Sequence, residues 1–189
     1  CAMQIMMQRV HLEHYLTRDK LEQLVVHDQL TKVYNRNKIK ELTNRSEEFA
    51  VFADINVSML LVDIDHFKKV NDDYGHEAGD KVLLCLADNL RKTVRETDFV
   101  IRWGGEEFLI IMPGCSATQA VRIAEKLREN VEKDNNGICP ITVSVGVAKH
   151  EGGNYHMTIK NADVALYQAK NTGRNKVVLY QSELDKGRV

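Results

Sequence analysis

The segment Arg102-Trp103-Gly104-Gly105-Glu106-Glu107-Phe108 constrains the fold more than any other part of this chain. Phe99-Val100-Ile101 precedes the glycine pair, and Phe108-Leu109-Ile110-Ile111-Met112 follows it. Two apolar runs joined by Gly-Gly predict a tight β-hairpin, because the primed turns need φ > 0 and glycine adopts that without steric cost. Glu106 and Glu107 come directly after Gly105, and a hairpin has no structural need of two adjacent carboxylates. Acids beside a turn of so little bulk mark a place where a polyanion and its metal can approach backbone.

The hairpin sits between helical patterns. Upstream, Val57 to Val62 is an apolar run ending in Asp63-Ile64-Asp65, a buried strand with acids at its carboxyl end. A short helical segment is expected over Phe67–Asp73. A longer helix follows from about Glu77 to Arg95, with Val82, Leu83, Leu86, Leu90 and Val94 on one face and Cys85 in its apolar pattern. After the hairpin, Ser116 and Gln119 form a capping box that opens a helix burying Ala120, Val121, Ala124, Leu127 and Val131. Ile141–Ala148 alternates as a strand, Thr158–Asn171 is helical and stopped at Gly173, and Val177–Tyr180 is a last short strand. The order β-α-α-β-β-α-β-α-β with a central hairpin is an α+β fold. Its five-stranded sheet is mixed, largely antiparallel and flanked by helices.

At 189 residues and 43% apolar, the chain can hold one packed domain with a short appendage. We place a linker helix at residues 1–27, where Leu12, Leu16, Leu21, Leu24 and Val25 make an imperfect stripe. It reads as the end of a signalling stalk from an upstream module. The domain then spans 28–181, with a tail at 182–189. The net charge of −1 argues against a broad nucleic-acid footprint. Cys1, Cys85, Cys115 and Cys139 contain no C-x-x-C pair, which argues against zinc and fits a reducing cytosol. No apolar run is long enough to span a membrane. The chain does not begin with Met, so it reads as a piece of a longer protein whose membrane status is open.

Asp63 and Asp65, at i and i+2, point to one face of a strand and can meet one cation; solvation or helix capping is the alternative. Phe67 to Asp80 is dense in polar residues and carries Gly75 and Gly79. Arg95-Glu-Thr-Asp98 closes the long helix, where a local i,i+3 ion pair would be its simplest role. Lys170, near a helix carboxyl end, suits dipole compensation.

In order and spacing these segments resemble the GGDEF family of diguanylate cyclases. Asp28-x-Leu30-Thr31 with Asn35-Arg36 resembles the family's opening motif. Asp63-Ile-Asp-His-Phe-Lys68-x-x-Asn71 through Gly79-Asp80 resembles its nucleotide segment, and Gly104-Gly105-Glu106-Glu107-Phe108 is its signature in the GGEEF form. Val143-Ser144-Val-Gly146-Val and Ala162-Asp163 through Gly173-Arg174-Asn175 complete the match. Lys32 stands where the family usually has glycine and Val33 where leucine is common, departures that bear on local turn geometry.

The resemblance implies a sheet of the nucleotide-cyclase or palm-like kind, and condensation of two GTP into cyclic di-GMP with release of two pyrophosphates. By it, Asp63, the Ile64 carbonyl and Glu106 hold Mg²⁺, with Mn²⁺ as an alternative. Glu106 also helps to deprotonate the attacking hydroxyl, and Lys68 offsets charge on the phosphates. Lys170 and Arg174 reach the distal phosphates. Asn71 and Asp80 read guanine: a carboxylate accepts from N1–H and the exocyclic amine, and burying it unpaired against adenine discriminates by roughly 10⁴-fold. His76 falls at a substrate-binding position, with a capping role as the alternative. Arg95 and Asp98 resemble the inhibitory product site, where arginine grips guanine O6 and N7. Arg122, Lys126 and Arg128 are candidate cations for completing that site from an adjoining domain. One domain holds one GTP, so a facing homodimer is expected to be the working unit, under an upstream sensory domain. A receptor that binds cyclic di-GMP or GTP without turnover is the alternative.

Overall fold

The computed structural model describes residues 26–44, 56–134, 136–152 and 155–182. Most of the expected linker helix, up to Val25, lies outside the described residues, as does the tail from Glu183. His27 bridges to Tyr34, and the Val26 carbonyl accepts from Asn35 N at 2.8 Å.

Eight consecutive residues of β2 (Val57–Ile64) are buried, which makes it the middle of the sheet. It pairs antiparallel with β4 (Glu107–Pro113) on one side and with β5 (Val143–His150) on the other. Beyond β4 lies β3 (Phe99–Arg102), its hairpin partner, and then β1 (Tyr34–Asn35), which runs parallel to β3. Beyond β5 lies β6 (Val177–Leu179), also parallel to its neighbour. The sheet therefore has six strands in the order β1-β3-β4-β2-β5-β6. The extra strand is two polar residues long, too short to carry a period of its own.

Alternation along the strands divides the core in two. Leu60, Val62 and Ile64 of β2, with Phe108, Ile110 and Met112 of β4, face α3 (His76–Thr93) and α4 (Ala117–Lys133). Met59 and Leu61, with Leu109 and Ile111, face α1 (Asn37–Asn44) and α5 (Tyr155–Asn171). The expected inward residues of α3 are buried, except that Cys85 is only partly covered and Val94 caps the helix. The capping box opens α4 as expected: Gln119 N donates to Ser116 Oγ at 3.4 Å, and Ser116 N to Gln119 Oε1 at 3.0 Å.

Two glycines act through clearance. In β5, a Cβ at Gly146 would lie 2.0 Å from the Ala162 carbonyl and 2.4 Å from Leu166 N, so glycine lets α5 pack directly on the strand. In α3, a Cβ at Gly79 would lie 2.0 Å from Asn71 Oδ1 on α2 (Phe67–Tyr74).

Candidate functional site

Strand parity sets the site. Asp63 shares the odd-numbered face of β2 with Met59 and Leu61, the face that packs on α5. There Lys170, in the last turn of α5, meets it: Nζ lies 2.8 Å from Asp63 Oδ2. The register sets Glu107 opposite Asp63 on β4 and Ser144 opposite it on β5. Burial pushes the Asp63 carboxyl up to about 6; the hydrogen bond and charge of Lys170 oppose this, and the charges of Glu106 and Glu107 add to it. Asp63, Glu106, Glu107 and Lys170 thus share one electrostatic neighbourhood at the carboxyl end of β2.

The signature turn spans Trp103–Glu106, between Arg102 of β3 and Glu107 of β4. Trp103 N and Gly104 N both donate to the Glu107 carbonyl, at 2.8 and 3.2 Å. Contrary to the primed-turn expectation, neither Gly104 nor Gly105 has a positive φ. The close neighbour of the turn is a side chain. A Cβ at Gly104 would sit 2.8 Å from Glu107 Oε2, and Gly105 faces open space. Arg102 fixes the turn from behind: Nη2 and Nε donate to the Gly105 carbonyl at 2.8 and 3.2 Å, and Nη1 donates to Asp28 Oδ1 at 3.1 Å. Burial raises the Asp28 carboxyl, but hydrogen bonds from Thr31 and Arg102 outweigh it and hold the group below its ordinary value.

The expectation that Asp63 and Asp65 meet one cation is overturned. Asp65 lies just past the strand and is fully engaged elsewhere. It accepts from Thr142 Oγ1 and Ser144 Oγ at 2.7 Å each and from Asn175 N at 3.0 Å. Its work is to tie the start of β5 and the turn after α5 to the end of β2. That turn is a Schellman motif, with Gly173 at φ 117° and Arg174 N donating to the Ala169 carbonyl at 3.0 Å. Arg174 itself is exposed and left-handed, at φ 59°.

The nucleotide-segment residues lie on the two helices that follow β2. Lys68 is exposed on α2, and Asn71 is partly exposed there with Gly79 behind it. Asp80 is exposed on α3 and not buried, so the chain alone does not desolvate it. His76 opens α3, directly after Gly75 at the N-cap, and its ring is exposed. Among the described residues, no group of three His, Cys, Asp or Glu could hold a metal unaided. Asp63 with Glu106 still suits a divalent ion, because two further negative charges crowd a buried carboxylate whose one close cation among the described residues is Lys170. Backbone carbonyl and phosphate oxygens would complete such a shell.

Arg95 and Asp98 lie at the far end of β3 from the signature turn, roughly 13 Å along the strand. They form no side-chain ion pair. Asp98 Oδ2 accepts from Arg95 N at 2.9 Å, while Oδ1 is buried without a partner. Burial raises the Asp98 carboxyl, although the Arg95 backbone bond and charge oppose it. Arg128 is not a free cation, being held by Glu125 at 2.9 Å, Glu132 at 2.8 Å and Asn175 at 2.9 Å.

Three positions escaped the sequence reading: Gly79 behind Asn71, Arg102 between Asp28 and Gly105, and Glu107 in register with Asp63. None of these had a local signal: the hairpin sets the face of β4 that carries Glu107, but its register with Asp63 comes from the pairing of β4 with β2, distant in sequence.

Residues 25–176 match the family "Diguanylate cyclase, GGDEF domain". The chain is 41% identical over 162 residues to diguanylate cyclase DgcM of Escherichia coli strain K12, covering 85% of this chain and 40% of that one. It is 39% identical over 178 residues to the response regulator PleD of Caulobacter vibrioides, covering 90% and 38%. It therefore spans about two fifths of the length of these relatives. Among solved structures, the coiled coil and GGDEF domain of DgcB from Caulobacter crescentus in complex with c-di-GMP superposes with a TM-score of 0.75. It is 29% identical, and the match covers 95% of this chain and all of that one. The active GGEEF domain of a diguanylate cyclase from Vibrio cholerae gives 0.66 at 29% identity, over 75% and 91%. With the signature turn, the acid at the end of the central strand and the match across most of its length, this chain belongs to the GGDEF family of diguanylate cyclases.

Proposed function

We propose that this domain is a diguanylate cyclase, joining two GTP molecules into cyclic di-GMP. The observation that carries the reading is the buried Asp63 carboxylate, set beside the Glu106–Glu107 turn with Lys170 as its counter-ion. In each step the ribose 3′-oxygen of one GTP bonds to the α-phosphorus of the other, the bond to the β-phosphate oxygen breaks, and pyrophosphate leaves. Two such steps close the ring.

Asp63, the Ile64 carbonyl and Glu106 would hold Mg²⁺ or Mn²⁺, which when bound screens the phosphates and lowers the pKa of the 3′-hydroxyl. Glu106 takes the hydroxyl proton. Lys68 balances charge developing at the α-phosphate, and Lys170 with Arg174 holds the distal phosphates. Asn71 and Asp80 bind guanine. Because Asp80 is exposed, its selectivity arises as the base covers it. His76 has an exposed ring at the start of α3 and is placed with the substrate. Gly104 and Gly105 leave room for the nucleotide.

Each domain carries one such set of groups, so turnover needs two domains face to face. Arg95 and Asp98 form a product site for feedback inhibition. That reading is supported by the missing ion pair between them, the unpaired Asp98 Oδ1 and the relative solved with c-di-GMP.

Incubation with GTP and Mg²⁺ followed by mass analysis of the nucleotides is the test. Cyclic di-GMP from the native chain and none from Glu106→Gln is expected. Binding of cyclic di-GMP or GTP without turnover at high protein concentration would instead make the domain a receptor.

A further inference from the structure

A cavity of about 450 Å³ opens between the turn at Asp28–Lys32 and the end of α3, with Lys32, Arg91, Arg95 and Asp98 on its wall. Lys32 is left-handed there, at φ 59°. An L side chain in that region crowds the following carbonyl, whereas glycine does not. Glycine is the residue the family pattern sets at this place, so this chain keeps a strained backbone and gains an ammonium group.

The turn is clamped. Lys32 N donates to the Asp28 carbonyl at 3.0 Å, and Thr31 Oγ1 to Asp28 Oδ1 at 2.7 Å. Arg91 Nη2 donates to the Thr31 carbonyl at 3.1 Å, fixing the turn to the same helix end that carries Arg95. Arg91 is thereby occupied, and it also lies 4.0 Å from Asp88. Lys32 is exposed, and among the described residues no carboxylate forms an ion pair with it.

We infer that Lys32 is an additional ligand-binding cation of the product site, meeting a phosphodiester of the cyclic dinucleotide that Arg95 and Asp98 hold by its guanine. The inference rests on the reading of Arg95 and Asp98 as that site. Cyclic di-GMP carries two anionic phosphodiesters, and an arginine engaged with O6 and N7 leaves them without a partner. Supplying one cation from the same chain reduces the share that an adjoining domain must provide. Feedback in this protein would then depend less on how two domains are arranged.

Calorimetric titration of cyclic di-GMP into the native chain, Lys32→Gly, Lys32→Asn and Arg95→Ala tests this. Glycine and asparagine both tolerate the left-handed region, so both variants should melt no lower than the native chain. Both should bind about 3- to 5-fold more weakly at low salt, the effect of one exposed charge contact. The difference should shrink as salt rises. Arg95→Ala should lose binding altogether. If Arg95→Ala loses binding while both Lys32 variants bind as the native chain does at low salt, the product site stands and the role of Lys32 is overturned. If Arg95→Ala binds normally, both readings fall.

Discussion

Asp63 shows how a buried carboxyl works against the fold that holds it. Its carboxyl titrates near 6 in the folded chain against 3.8 for an ordinary aspartate, chiefly because it is buried. The folded state therefore binds the proton more tightly than the unfolded state between those values. Stability then falls as pH rises from about 4 through 6. A tenfold change in proton affinity is worth about 1.4 kcal/mol, so keeping this carboxylate charged at neutral pH costs about 2–3 kcal/mol. In metal-free buffer Asp63→Asn should raise the melting temperature at pH 7.5 and show no gain at pH 3.5, and with GTP and Mg²⁺ present it should abolish turnover. Native chain and variant melting together at both pH values would show that burial does not strain this carboxylate. Gly79 offers a separate test. A methyl group there meets Asn71 Oδ1 at 2.0 Å, the end of a side chain that can swing away. Gly79→Ala should leave urea stability within about 1 kcal/mol of native, helped by alanine's helix propensity. It should raise the KM for GTP at least tenfold, and an unchanged KM would remove Asn71 from substrate binding.

At the scale of elements, the longer helices and the strands other than β1 are legible because each carries its own period. The apolar face of α3, the capping box of α4 and the glycine stop after α5 are all local signals. What stayed hidden depends on pairs distant in sequence. The sequence alone leaves Asp65 open between a shared cation and solvation or capping; the β2–β5 pairing brings Thr142 and Ser144 to it, and the turn after α5 brings Asn175. The glycine pair of the hairpin announced a turn, but composition alone does not separate a need for φ > 0 from a need for space. Gly146 belongs with these hidden pairs. Its closest neighbours are backbone atoms of α5, which cannot yield as a side chain can. Gly146→Ala should cost about 3 kcal/mol or more by forcing α5 off the sheet. Urea denaturation measures this directly, and a loss below about 1 kcal/mol would mean that the helix shifts freely. Because α5 also carries Lys170, the same variant should lose GTP affinity.

For the whole molecule, the position of the site at one end of the sheet decides how the reaction can be organised. Asp63, Glu106 and Lys170 gather at the carboxyl end of β2, and the signature turn beside them leaves Gly105 open to solvent. On the proposed function, this surface would hold one triphosphate and leave its ribose hydroxyl to be met from outside. The chain carries one domain match with one signature, so on the proposed function the second nucleotide would arrive on another copy of the same surface. Arg102 ties this surface to the entrance of the domain by spanning Gly105 and Asp28, which lies just after the residues where an upstream module would join. On the proposed function, an input that reorients those residues would reach the turn without crossing the core. On this account the rate per domain is set by the encounter of two domains. Serial dilution at saturating GTP should lower cyclic di-GMP formation per domain in proportion to the dimer fraction followed by light scattering. Fusing a strong parallel dimerisation helix ahead of Val26 should abolish that dependence. A rate per domain that holds constant far below the dimerisation constant would require both triphosphates to bind one domain, and the facing arrangement would be wrong.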